Sequence, residues 1–95
     1  MIICVDQNAD GNYPSDAGFL LNGAGRWLVT VDCSATGTFK LQVRNSSGDW
    51  IDVPSSTTTS ADACYAVDLQ GVYIRGNISG ASGTPAVTAE ITPIQ

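Results

Sequence analysis

The chain has 95 residues, which makes one domain with a modest core and little stability in reserve. Nine carboxylates stand against four Lys and Arg, for a net charge of −5, and there is no histidine. The charge balance argues against nucleic acid and against anionic membranes, both of which call for clustered basic residues, and the missing imidazole removes the commonest general base and any Ser-His-Asp or Cys-His pair within one chain.

The predicted elements are all strands. "MIICV" predicts a short apolar strand over 2–5, and "AGFLL" another over 17–21. "RWLVTVDC" predicts a strand over 26–33 that puts Trp27, Val29, Val31 and Cys33 on one face. "TFKLQVR", within a predicted strand over 37–44, alternates Phe39, Leu41 and Val43 with Lys40, Gln42 and Arg44. Further strands are predicted over 49–53, 63–69, 72–79 and 86–92, the last with Val87, Ala89 and Ile91 turned inward. Turn signals such as "NSSGD", "LQG" and "SGASGTP" separate the runs at spacings of roughly ten residues, the mark of a sandwich or small barrel. No segment carries a helical stripe. The expected fold is an all-β antiparallel sandwich or jelly-roll-like domain of about seven strands over 17–95, preceded by an N-terminal arm and polar loop over 1–16.

Several residues invite a specific chemistry. "DQNADGNYPSD" opens like a calcium loop, with Asp6, Asn8 and Asp10 at its first, third and fifth positions and Gly11 at its sixth. The match then lapses: the twelfth position is Ala17, and Asp16 falls one residue early. The EF-hand is excluded because no helix can flank the loop. What remains is a calcium cradle of Asp6, Asn8, Asp10 and Asp16, set against an ordinary polar loop; the polar loop is preferred and no cofactor is expected. In "GDWIDVP", Asp49 and Asp52 flank Trp50 like a glycosidase pair, but residues three apart in a strand face opposite sides. Trp27 is in phase with core positions, whereas Trp50 is in phase with Asp52, placing it at the surface or in an interface. Gly76, inside a strand run, signals a bulge, a close backbone approach or a small residue under a neighbouring Trp. Cys4, Cys33 and Cys64 read as small core hydrophobes, reduced in a cytosol; in an oxidising compartment Cys33 with Cys64 is the pair to try first. The opening lacks the features of a signal peptide, so the sequons at Asn45 and Asn77 read as chance.

From Gly25 onward, "GRWLVTVDCSATGTFKLQVRNSSGDWIDVPSS" and "YAVDLQGVYIRGNISGASGTPAVTAEITPI" resemble small structural proteins of tailed bacteriophages. The resemblance covers about three-quarters of the chain and does not reach the Asp6–Asp16 loop. It implies a virion component on the capsid surface: a head decoration or cement protein, made in the host cytoplasm, bound to the major capsid protein and homo-oligomeric, with a trimer favoured. On this reading the chain is not an enzyme and works by adhesion. The expected contact residues are Ile2, Ile3, Val5, Tyr13 and Trp50, with the first strand adding to a neighbouring chain or to the capsid. The alternative is a carbohydrate-binding or tail- and fibre-associated adhesion module that uses Trp50, Asp49 and Tyr73.

Overall fold

The structure is a computed structural model that describes residues 1–7, 9–33, 37–80 and 87–94, with the backbone alone at Asp6, Ala24, Gln70 and Gly71. Its elements are strands throughout: β1 (Ile2–Gln7), β2 (Gly11–Tyr13), β3 (Phe19–Cys33), β4 (Thr38–Arg44), β5 (Trp50–Asp52), β6 (Thr58–Thr59), β7 (Ala63–Ser79) and β8 (Val87–Pro93). Every pairing among them is antiparallel. The order is β1-β8-β3-β7-β4-β5, with β2 also on β7 and β6 also on β4.

This path folds over into a two-layered β-sandwich, and the fold-over lies in β3 and β7. The two form one long hairpin-like ribbon in which Leu21 pairs with Val72 and Ala24 with Gln70, so β3 carries one residue more than its partner at the bend. Gly23 takes a φ of +96° there. The first layer contains β1, β8, the C-terminal arm of β3 and the N-terminal arm of β7. The second contains β2, the other arms of β3 and β7, and β4, β5 and β6.

The predicted strands 17–21 and 26–33 are therefore one strand, as are 63–69 and 72–79. The glycines read as strand ends instead bend a continuous ribbon. Among the described residues there are eight strands, or ten when each arm of β3 and β7 is counted, rather than about seven.

The core fills the space between the layers with Ile3, Leu21, Val29, Val31, Phe39, Leu41, Ile74, Ile78, Val87, Ala89 and Ile91, all essentially inaccessible to solvent. The alternation seen in the sequence fixes which faces meet: Phe39 and Leu41 on β4, Val29 and Val31 on β3, Val87, Ala89 and Ile91 on β8. Gly76 lies where the two layers come close. A Cβ there would come within 2.9 Å of Ile3 Cγ2 and press into the Phe39 ring. The β4–β7 register runs unbroken through Gly76, so it marks a close approach of the layers and not a bulge, and the ring above it is Phe39 rather than a Trp.

One buried polar group holds the second layer's edge. Between the stretches of β4 paired with β5 and with β6, Leu41 N donates to Ser56 Oγ (3.2 Å), which itself donates to Val53 O (2.7 Å). Val53 N donates to Leu41 O at 2.8 Å. A side chain thus takes the place of a strand partner.

Candidate functional site

The first surface of interest is the β1 edge. β1 ends the sheet order, so among the described residues no strand lies on its outer side. Its side chains divide sharply. Ile3 is 1% exposed and Cys4 is buried, whereas Met1, Ile2 and Val5 are 50%, 57% and 47% exposed. Two register irregularities, between Ile2 and Cys4 and between Cys4 and Gln7, kink the strand against β8 and explain why Ile3 and Cys4 both turn inward. Met1 and Ile91 exchange backbone hydrogen bonds at 2.6 and 2.9 Å.

Residues 1–16 are therefore not an arm beside the sandwich. β1 is an edge strand that supplies core residues, and β2, in the segment expected to be a loop, pairs with β7 through Asn12–Asn77 and Tyr13–Gly76. Of the expected contact residues, Ile2 and Val5 face outward, while Ile3 is core and offers nothing to a partner. Tyr13 is half-buried against the core and donates its hydroxyl to Ala9 O at 2.7 Å.

The second surface is the outer face of the second layer, where side chains stand in three rows across the strands. In the first row, Trp50 pairs with Arg44 across β5 and β4; the Arg44 guanidinium lies 4.4 Å over the Tyr73 ring, and Tyr73 pairs with Leu20. In the second, Asp52 Oδ1 accepts from Gln42 Nε2 at 2.8 Å, and Gln42 Oε1 accepts from Arg75 Nε at 2.8 Å. In the third, Asn77 Nδ2 donates to Asn12 Oδ1 (2.9 Å), and Asn12 Nδ2 to Asp16 Oδ1 (2.8 Å). Arg75 ties the rows together: it lies 4.3 Å over the Trp50 ring and donates from Nη1 to Asp16 O at 2.8 Å. Gly18 closes on the same ring, where a Cβ would approach within 2.8 Å of Trp50 Cη2. Trp50 is therefore on the outer face, as its phase implies, and half-covered there.

Electrostatics divide the molecule. Lys40, Arg44 and Arg75 project from the outer face of the second layer; Lys40 Nζ lies 3.6 Å from Asp52 Oδ2, and Arg44 forms no ion pair among the described residues. The Gln42 hydrogen bond, with Lys40 adding to it, holds the Asp52 carboxyl below its ordinary range. The outer face of the first layer carries Asp32, Asp62, Asp68 and Glu90 against Arg26 alone, which sits 3.8 Å from Asp68. Asp32, Asp62 and Glu90 line a shallow open depression of about 360 Å³ together with Thr30, Val31 and Thr88.

Among the described residues no three His, Cys, Asp or Glu side chains gather as a metal site. Asn8 and the Asp6 side chain lie outside what is described, Asp10 is otherwise engaged, and Asp16 belongs to the Asn12 ladder. Asp49 is held in the "NSSGD" turn, with its N–H donating to Asn45 Oδ1 at 2.9 Å, away from the Asp52 ladder. None of the three cysteines forms a disulfide. Cys4 and Cys33 are buried, and burial pushes the Cys4 thiol up. Cys64 is exposed, opposite Thr30 on the outer face, so it is not a core residue and points away from Cys33.

No family model matches the chain, and no significant match was found among curated proteins or solved structures. Function has to be argued from these surfaces.

Proposed function

We propose that the chain is a non-enzymatic virion structural protein, a capsid decoration module that binds the major capsid protein and stabilises the head shell. The observation that carries this is the β1 edge: a terminal strand with exposed Met1, Ile2 and Val5 along it, anchored by the core residues Ile3 and Cys4. An open strand edge binds by adding a strand, with backbone hydrogen bonds for affinity and outward side chains for selectivity. The two kinks keep the edge from pairing indiscriminately, so a partner must match its shape. A small acidic sandwich gains stability from any surface that binds only the folded state. The resemblance over residues 25–94 supplies the capsid as that surface.

The test is cosedimentation of the purified chain with expanded heads that lack it. Binding is expected for the wild type and loss of binding for Val5→Lys and Ile2→Lys, with both variants folded. Wild-type chain that stays in the supernatant contradicts the reading. Ile3→Ala is the control: it should cost about 2–5 kcal/mol of stability, as a core truncation does.

A second reading, a glycan-binding module, is favoured by Trp50 and Tyr73 sharing the outer face of the second layer. Each ring already has a guanidinium stacked on it, and Asp49 is in a turn. Glycan-array binding that disappears in Trp50→Ala would favour it over the capsid reading.

A further inference from the structure

We infer that the chain self-associates head to tail, the Trp50–Arg44–Tyr73–Leu20 row of one copy docking on the acidic outer face of the next copy at Asp32 and Glu90. The row brings together the residue types that dominate protein interfaces, Trp, Tyr and Arg, beside an exposed leucine. Arg44 lies over the Tyr73 ring and has no carboxylate partner among the described residues, although carboxylates outnumber cations nine to four in the chain. The carboxylates it lacks stand on the other layer, where Asp32 and Glu90 are exposed at the depression and form no ion pair among the described residues. The Arg44 guanidinium on one face thus complements an anionic depression on the other. A guanidinium brought against two carboxylates forms charge-assisted hydrogen bonds stronger than neutral ones.

The size is adequate. The molecule measures 37 × 29 × 20 Å, so each broad face offers roughly 1,000 Å², against about 800 Å² per partner in a standard interface. Because the two surfaces differ, the contact is heterologous, and each added copy leaves one face of each kind free. The inference is independent of the capsid reading, which uses the β1 edge, a third surface.

Sedimentation velocity over a concentration series up to millimolar tests it. The wild type should grow beyond a dimer without a plateau, while Arg44→Glu alone and Glu90→Arg alone should stay monomeric, with thermal melts confirming that both are folded. Mixed, the two variants should associate, because each retains the face that the other has lost. A wild type that is monomeric throughout overturns the inference, as does Arg44→Glu that associates like the wild type or a mixture that stays monomeric. Capsid binding can survive any of these results, so the two proposals fail separately.

Discussion

Ile3 and Gly76 come from opposite layers and meet with no side chain between them: a Cβ on Gly76 would lie 2.9 Å from Ile3 Cγ2. The Phe39 ring closes on the same point, and all three residues are buried. Filling that space separates the layers or forces the ring off its rotamer. Gly76→Ala should therefore destabilise the chain by about 1–3 kcal/mol, the usual cost of overpacking. Urea unfolding checks this, with the m-value expected to hold. Gly48, in the "NSSGD" turn with open space around it, marks no such contact.

Ser56 stands in for a strand. Its hydroxyl is the only described partner of the Leu41 N–H in the gap between the β5 and β6 pairings, and the site is buried. Ser56→Ala leaves a buried donor unpaired and should cost about 1–3 kcal/mol. The amide of Leu41 should then exchange faster with solvent while those of Val29 and Val31 do not, a comparison that separates local release from global loss of stability.

Burial pushes the Tyr65 hydroxyl up from its ordinary value of 10.0 to about 12. The sign follows from linkage. A raised folded value means that the unfolded chain gives up this proton first, so the stabilising effect is complete below pH 10 and is lost as pH rises towards 12. Thermal melts across that window should show a falling midpoint, and Tyr65→Phe should flatten the fall. In native spectrophotometric titration, Tyr65 should ionise at about 12.

Much of the fold was legible where alternation is strict. Phe39, Leu41 and Val43 against Lys40, Gln42 and Arg44 gave β4 and its inner face, and the phases of Trp27 and Trp50 placed one in the core and the other on the outer face. Cys64, read as a small core hydrophobe, faces outward instead, and the signal for it lay in the alternation of Tyr65, Val67 and Leu69, which turn inward beside it. Other features had no local signal. Gly23 and Gly71 look like breaks, yet the ribbon passes through them because long-range pairing holds both strands. β2 and β6 are too short and polar to show a period. Ile2 and Ile3 look alike in "MIICV"; only the kinked register against β8 sends one to solvent and the other to the core. The rows on the outer face depend on pairings between segments far apart in the chain, such as Asn12 with Asn77.

We propose the β1 edge as the surface by which the chain adheres to a capsid. A cryo-electron microscopy map of expanded heads saturated with the chain tests it most directly. Added density is expected on the outer shell, with β1 facing the major capsid protein and Ile2 and Val5 in contact with it. Added density that turns β1 to solvent, or a shell left bare at saturation, would contradict it.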